Sequence, residues 1–264
     1  MAYYEGMELG EIWGYVSDRL YTVDDFVDGT LKVTGDGELS GGTLKDGIPH
    51  FEGCSPNPGD MLFKYADENG VIWKSDNTAD NPGSRRIIGN NTPRYTFGIN
   101  GNVSWKGFDL SFLLQGVGKR DLWLRNSFTA PFASGGVDYS FYTHLLDYWS
   151  PEHQDAYFTR RYEGGYGANS GANNQVQSRY LLDASYLDLK SVVLSYSIPR
   201  TLLQKAGIGS MSVFVSGENL FSFNHMPDGI HPDSEARGSS SGVTVGGLTY
   251  PMMRKFTFGV NVSF

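Results

Sequence analysis

The densest group of potential metal ligands lies in the run HMPDGIHPD at residues 225–233, which contains His225, Asp228, His231 and Asp233. Imidazole and carboxylate groups are common zinc ligands, so this spacing could hold a metal ion. The same run contains Pro227, Gly229 and Pro232, which are typical of a surface turn. We therefore favour a turn, and we predict neither a metal nor a cofactor.

No other run has the spacing of a catalytic site. In QGVGKRD, residues 115–121, Lys119 is followed by Arg120 where a phosphate-binding loop needs Ser or Thr, and Leu113 stands where its first glycine belongs. His144 and His153 have no nucleophile nearby in sequence, and Cys54 is the only cysteine. A glycoside hydrolase would need two carboxylates facing each other across a cleft, and the linear sequence does not show them. We predict that the chain is not an enzyme.

The segment YSFYTHLLDYWSPEHQDAYFTRRYEGGYG is the most suggestive for ligand binding. Its candidate residues are Tyr142, Tyr148, Trp149, Tyr157, Tyr162 and Tyr166, with charged residues such as Arg160 and Arg161 between them. Aromatic rings beside polar groups suit sugar rings, peptide side chains or a partner protein. The alternative is that these rings pack the loop onto its neighbours or lie in an interfacial girdle.

The composition narrows the range of partners. The chain has 264 residues, a net charge of −8, and basic residues only in ones and twos, which argues against nucleic acid. Its 34 glycines and 14% aromatic residues favour strands joined by turns. It has no window of 18 apolar residues, so we expect no membrane-spanning helix. The start, MAYYEGMELGEIWGY, lacks the regions of a secretory signal, which predicts either a cytosolic protein or a chain that begins inside a larger one.

Alternating strands would have to position these residues. At the C-terminus, one strand face is apolar with Arg254 as its only interruption, and its residues are Tyr250, Met252, Phe256, Phe258, Val260, Val262 and Phe264. Two arms at 95–105 and 108–114 flank a Lys-Gly turn, which predicts a hairpin. Further strands are predicted at 9–18, 186–198 and 210–223. The sequence thus predicts about six antiparallel strands in an all-β fold.

The connections between these strands alternate in length. Those at 105–107 and 199–209 are short, whereas 19–93, 119–185 and 224–249 are long. In an antiparallel sheet, this places all long loops at one edge, as in outer-membrane barrels with long extracellular loops and short periplasmic turns. A soluble sandwich has the same alternation along each strand but mixes loop lengths at both ends.

The sequence resembles the C-terminal part of SusC/RagA-type TonB-dependent outer-membrane transporters. The resemblance is carried by GEIWGYV, PGDMLFKYADENG, RRIIGNNTPRYTFGINGNVSWKGFDLSFLLQGVGKRDLW, SYLDLKSVVLSYSIPRTLLQKAGIGSMSVFVSGENLFSF and YPMMRKFTFGVNVSF. It departs from the family after PGD, where Asp67, Asn69 and Gly70 remain of a calcium-type loop but Val71 and Ile72 replace the residues that follow.

The resemblance implies that residues 1–264 are the C-terminal part of a transmembrane barrel in the bacterial outer membrane, without its plug domain and signal peptide. It implies import of large nutrients, oligosaccharides or peptides, with a SusD-like surface lipoprotein, energy from the TonB complex through the missing N-terminal part, and contact with outer-membrane lipid. It also implies that the terminal residues Phe256, Phe258, Val260, Val262 and Phe264 are an insertion signal. The rival hypothesis is a soluble extracellular β-sandwich that binds carbohydrate through the aromatic segment.

Overall fold

The computed structural model of the protein describes residues 2–34, 37–124, 143–162, 170–204, 207–233, 235–237, 244–246 and 252–264. Its strands in chain order are β1 (Glu11–Gly14), β2 (Ser17–Leu20), β3 (Lys32–Val33), β4 (Leu39–Ser40), β5 (His50–Phe51), β6 (Met61–Phe63), β7 (Val71–Ile72), β8 (Arg86–Asn90), β9 (Tyr95–Trp105), β10 (Phe108–Gly118), β11 (Asp121–Leu122), β12 (Leu182–Asp183), β13 (Tyr186–Ser197), β14 (Ser210–Asn224), β15 (Glu235–Arg237), β16 (Thr244–Gly246) and β17 (Lys255–Ser263). The α-helices are α1 (Ser170–Asn173) and α2 (Arg200–Leu203), and 3-10 turns cover Val23–Asp25, Thr143–Leu146 and Ser178–Tyr180. None of the helices in these ranges is long and apolar enough to cross a membrane.

The chain divides into two compact units. The sheet unit comprises Pro93–Arg120, Asp183–Glu235 and Gly247–Phe264, and the loop unit comprises Met1–Thr92, Asp121–Leu182 and Ala236–Gly246. The sheet unit contains the long strands, and the loop unit contains most of the long connections of the predicted topology. The predicted all-β, antiparallel class is confirmed.

The sheet unit is built on one five-stranded sheet in the order β17-β14-β13-β10-β9. Each neighbouring pair is antiparallel. The predicted hairpin is present: Trp105 pairs with Phe108, and Gly107 adopts φ of 88°, which a turn of this length requires of its glycine. The connections β9–β10 and β13–β14 are short, while β10–β13 and β14–β17 are long, as predicted.

One face of this sheet is apolar on every strand. We define the apolar face as the side of the sheet on which the strand registers place these side chains together. β9 contributes Tyr95, Phe97, Ile99, Val103 and Trp105, and β10 contributes Phe108, Leu110, Phe112 and Leu114. The other members are Leu187, Leu189, Val192, Leu194 and Tyr196 of β13, Met211, Val213, Val215, Phe221 and Phe223 of β14, and Phe256, Phe258, Val260 and Val262 of β17. The remaining paired positions on that side are glycines. Among the paired positions of these described strands, the apolar face carries no Asp, Glu, Lys or Arg. The opposite face, with residues such as Asn100, Ser111 and Ser216, is mostly polar.

Glycines and aromatic rings face each other across the strands. Gly101 pairs with Phe112 and Gly116 with Phe97, and a Cβ added at either glycine would come within 2.3 Å of a ring atom. The ring of Phe112 therefore lies over Gly101 and fills the space that a side chain there would occupy. Such pairs help to fix the register of a sheet.

One of the six predicted strands, at residues 9–18, is not in this sheet. Residues 9–18 form β1 and the start of β2, which pair with β8 and β6 in the loop unit. The physical reason is burial: Tyr15 is 1% exposed and packs against Phe51 and Phe63 at ring-centroid distances of 5.1 and 5.3 Å. The segment pairs inside the loop unit because its aromatic residue belongs to the core there.

The loop unit has a hydrophobic core of its own. The buried core residues are Tyr15, Leu20, Tyr21, Phe26, Phe51, Met61, Leu62, Phe63, Ile72, Leu145, Trp149, Ala156, Phe158, Ala172 and Tyr180. They come from segments far apart in sequence, so the long connections are folded against one another instead of being independent loops. This core is the scaffold for the aromatic segment, which contributes Leu145, Trp149, Ala156 and Phe158 to it.

Candidate functional site

The structure describes four of the six aromatic residues that were predicted to bind a ligand. Tyr142 and Tyr166 lie outside the described residues. Trp149 is a core residue at 3% exposure, Tyr148 and Tyr162 are half-buried, and Tyr157 is 39% exposed. Protein therefore covers the ring of Trp149, whereas Tyr157 has a surface that a ligand could reach.

Trp149 packs onto the backbone of the segment that precedes β6. Gly59 has φ of 87°, and a Cβ there would lie 2.3 Å from Cδ2 of the Trp149 ring. Only glycine meets both conditions, because any other residue would be strained at this φ and would collide with the indole. Residues 147–162 are thus fastened to residues 57–61 by direct contact.

Arg160 strengthens the same attachment. Its Nη1 donates hydrogen bonds to the carbonyl oxygens of Leu39 at 2.6 Å and Pro58 at 3.1 Å, and its Nη2 forms an ion pair with Glu38. The guanidinium also lies over the ring of Tyr162, 5.1 Å from its centroid. Because its side chain is 3% exposed, the charge of Arg160 acts inside the protein and is not presented to a ligand.

Asp60 is the most strongly buried acidic residue of this site, at 0% exposure. Its carboxylate accepts hydrogen bonds from the Tyr162 hydroxyl at 2.7 and 2.8 Å, from Nδ2 of Asn173 at 2.7 Å and from the backbone N–H of Asn57 at 2.8 Å. Burial raises the pKa of Asp60 to about 6, although these donors act in the opposite direction. The cluster joins three segments through one carboxyl group.

Sequence reasoning missed Asp60, Asn57 and Asn173. The only signal for them was the run PGD at 58–60, which contributed to the family resemblance. Tyr162 is one of the predicted ligand residues, but its hydroxyl donates hydrogen bonds to Asp60 within this cluster. A ligand role for Tyr148, Tyr157 and Tyr162 stays a prediction.

The loop that departs from the calcium type forms a local turn around Asp67. The Asp67 carboxylate accepts hydrogen bonds from the backbone N–H groups of Asn69 and Val71, at 2.9 and 2.8 Å, and from Nε1 of Trp73 at 2.9 Å. These donors hold the pKa of Asp67 below its usual value. Within the described ranges, no group of three His, Cys, Asp or Glu side chains is arranged to hold a metal ion.

The run HMPDGIHPD forms a segment that we call the 225–233 strap. His231 Nε2 lies 2.9 Å from Oδ2 of Asp188 on β13, and Asp233 accepts a hydrogen bond at 2.5 Å from the Tyr186 hydroxyl. Asp233 also pairs with Arg120 at 3.5 Å. Two of the four potential metal ligands therefore fasten the strap to β13.

The five residues of the predicted insertion signal are exposed. Phe256 and Phe258 are each 75% exposed, Val260 46%, Val262 43% and Phe264 94%. Their strand, β17, pairs with β14 from Lys255 to Ser263. The structure thus leaves the whole apolar series accessible, and its role in insertion stays a prediction.

Comparison with known proteins gives a consistent set of relatives, although no family model matches the chain. TonB-dependent receptor P3 of Formosa agariphila is 29% identical over 266 residues, which cover 98% of this chain and 22% of the receptor. TonB-dependent receptor P26 of the same organism is 28% identical over 76% of this chain and 19% of its own length. TonB-dependent receptor P39 is 25% identical over 98% of this chain and 25% of its own length.

Solved structures show the same fold. The structure of the RagAB peptide importer in its closed-closed state matches this chain with a TM-score of 0.58 and 18% sequence identity. The match covers 97% of this chain and 23% of the importer chain. Its open-open state matches with a TM-score of 0.56 and 19% identity. The chain is similar to TonB-dependent receptors over nearly its whole length and spans between 19% and 25% of the curated relatives. The curated relatives are named receptors, which agrees with the prediction that the chain is not an enzyme.

Proposed function

We propose that residues 1–264 are the C-terminal part of the β-barrel of a TonB-dependent outer-membrane transporter, which imports large nutrients across the bacterial outer membrane. The five-stranded sheet would be an arc of the barrel wall, and the loop unit would be built from long extracellular connections. The plug domain, the signal peptide and the remaining strands would belong to the rest of the protein.

The observation that carries this proposal is the apolar face of the five-stranded sheet. It is uncharged at its paired positions, and each strand contributes exposed apolar side chains to it, such as Trp105 at 66%, Leu194 at 41% and Phe258 at 75%. A soluble domain buries such a face in a core, whereas a membrane barrel turns it toward lipid. β9 and β10 each have 11 residues, which matches the length of a tilted strand that crosses a bilayer.

The aromatic residues of this face support a membrane orientation. Trp105, Phe108 and Tyr196 lie at its short-turn end, where the rings of Phe108 and Tyr196 are 4.6 Å apart. Tyr95 and Phe223 lie at the end with the long connections. Aromatic side chains at both ends of an apolar band are typical of the two membrane interfaces of a barrel.

The substrate class and the partners are proposed from the family. The curated relatives are named TonB-dependent receptors, which supports energy from the TonB complex, and a solved neighbour is named a peptide importer, which supports peptides as one substrate class. Oligosaccharides are the other class, and a SusD-like surface lipoprotein would capture the substrate.

Uptake by the native organism tests this function. Deletion of the whole gene should abolish import of either labelled oligopeptides or labelled oligosaccharides, because molecules of that size need a dedicated route. Import of single amino acids and monosaccharides serves as the control and should persist. Disruption of the TonB system should have the same effect as the deletion. Unchanged uptake of both oligomer classes in the deletion strain would contradict the proposal.

A further inference from the structure

The polar face of the five-stranded sheet carries a cavity of about 330 Å³ at the middle of β9, β10 and β13. The side chains that line it on this face are those of Asn100, Asn102, Ser111, Leu113 and Ser191. Small-molecule sites usually have volumes of about 300–1,000 Å³, so this cavity lies at the lower end of that range. It has room for one unit of a chain-like ligand, such as a single sugar ring.

The strand registers arrange these side chains in two neighbouring rows. Asn102 is directly opposite Ser111 in one row. In the other row, Leu113 lies between Asn100 on β9 and Ser191 on β13. Neighbouring strands are about 5 Å apart, and the rows follow each other at about 7 Å along the strands. Four polar side chains and one apolar side chain therefore cover an area large enough for a sugar ring with its hydroxyl groups.

The lining of the cavity is electrically neutral. None of the described residues that line it carries a charged side chain. Asp109, in the next row of β10, accepts a hydrogen bond from the Ser104 hydroxyl. Glu218, which is opposite Ser191 on β14, lies 3.8 Å from Nζ of Lys255. Since both neighbouring carboxylates are engaged within the protein, the cavity presents a polar surface without a net charge.

The polar groups of the cavity are available to a ligand. Among the described residues, the side chains of Asn100, Ser111 and Ser191 have no hydrogen-bond partner. Asn102 accepts one hydrogen bond, at 3.5 Å from the Ser104 hydroxyl, and its amide N–H groups are free. Amide and hydroxyl side chains each both donate and accept hydrogen bonds. A ligand hydroxyl can use both capacities at every position, whereas a peptide N–H or C=O group can use only one of them.

A transported ligand reaches this cavity because the polar face is the luminal face in the proposed transporter. If the apolar face meets lipid, the polar face of the same strands lines the path from the cell surface to the periplasm. The middle of the strands lies half-way along that path, which every imported ligand has to cross.

We propose that this cavity binds one neutral sugar unit of an oligosaccharide as it passes through the lumen. The four polar side chains would form hydrogen bonds with its hydroxyl groups, and Leu113 would contact a C–H face of the ring. Hydrogen bonds between neutral groups are individually weak, which suits a site that the ligand has to leave again. This inference rests on the proposed transport function, because it selects oligosaccharides as the substrate class.

Uptake by the native organism tests the site. The full-length gene is altered to carry Asn100→Leu and Asn102→Leu together, which removes both amides and keeps side chains of similar size. We expect the initial uptake rate of a labelled neutral oligosaccharide, per amount of transporter in the outer membrane, to fall about fivefold, as the loss of one or two neutral hydrogen bonds implies.

Asn261→Leu is the matched control for this uptake measurement. Asn261 is an exposed asparagine on the same polar face, where it pairs with Ser212, but its strand, β17, lies at the opposite edge of the sheet from β9. The control should leave the uptake rate unchanged.

Cysteine labelling during active uptake measures the occupancy of the cavity directly. Asn102→Cys and its control Asn261→Cys are made in the full-length protein, in which Cys54 and every other cysteine are replaced by Ala, and are treated with a hydrophilic thiol reagent. An excess of the neutral oligosaccharide should slow the labelling of Asn102→Cys about fivefold, again the effect of one or two neutral hydrogen bonds. Labelling of Asn261→Cys should not change.

Three results would overturn the proposal. They are wild-type uptake of the oligosaccharide by the Asn100→Leu, Asn102→Leu variant, absence of labelling of Asn102→Cys without ligand, and protection of that cysteine by an oligopeptide but not by the oligosaccharide. If import of either oligomer class still depends on the gene, these results would reject the sugar site alone and leave the transport function standing.

Discussion

Asp60 has the most unusual environment of any acidic residue described in the loop unit. Its carboxyl group has no access to solvent, and the hydroxyl and amide groups that contact it belong to Tyr162, Asn173 and Asn57. A buried carboxylate is costly even when it accepts several hydrogen bonds, which is why the pKa of Asp60 rises from 3.8 to about 6. The same group therefore connects segments and makes their attachment depend on pH.

The attachment of these segments should be stronger at mildly acidic pH than at neutral pH. Because the pKa of Asp60 is higher in the folded state than in the unfolded state, its contribution is fully present below about pH 4 and is lost as pH rises through about 6. Hydrogen exchange of backbone amides in residues 57–63, corrected for intrinsic rates, should show about tenfold greater protection at about pH 5 than at about pH 7.5.

Asp60→Asn should remove this pH dependence, whatever its effect on absolute protection. Asp80→Asn, at an exposed aspartate of the same unit, should keep it. A pH dependence that persists in Asp60→Asn would show that another group titrates.

At the scale of the elements, the five-stranded sheet depends on the fit between glycines and rings. Phe112 is directly opposite Gly101, and Phe97 is opposite Gly116. The sequence pattern marks both partners of each pair as strand residues, but it does not show that one covers the other. That relation follows only from the register of β9 against β10.

Gly101→Ala should destabilise the sheet by about 1–3 kcal/mol, because its Cβ would lie 2.3 Å from Cζ of Phe112 and the ring would have to move. Gly98→Ala, on the same strand, is the matched control, since its Cβ would lie 3.7 Å from the nearest atom, the carbonyl oxygen of Leu114. Urea unfolding of the full-length protein in detergent would measure both variants. Equal stability of the two would contradict the proposed ring packing.

At the scale of the whole molecule, the two faces of the sheet separate the membrane hypothesis from the soluble sandwich. Both hypotheses explain the alternation along each strand. They differ in what meets the apolar face, which is lipid in a barrel and protein in a sandwich. The exposure of that face on all five strands favours lipid.

Single cysteines at Val215 and Ser216 test this distinction, since these neighbours in β14 lie on the apolar and polar faces respectively. Cys54 and every cysteine in the rest of the full-length protein are first replaced by Ala, and a fluorophore is then attached to each new cysteine in the full-length protein in lipid vesicles. A lipid-bound quencher should quench the label at Val215→Cys strongly and the label at Ser216→Cys weakly. Equal quenching at both positions would exclude the membrane orientation.

The sequence by itself determined the long strands, the Lys106–Gly107 hairpin and the apolar series that ends at Phe264. These features depend on residues close together in the chain, since alternation has a period of two and a two-residue turn requires glycine. Only the tertiary structure decided that residues 9–18 leave the sheet, that Trp149 is buried, and that Asp60 meets Tyr162. Each of these depends on segments that are far apart in sequence, and neither local periodicity nor residue type specifies which of them come into contact.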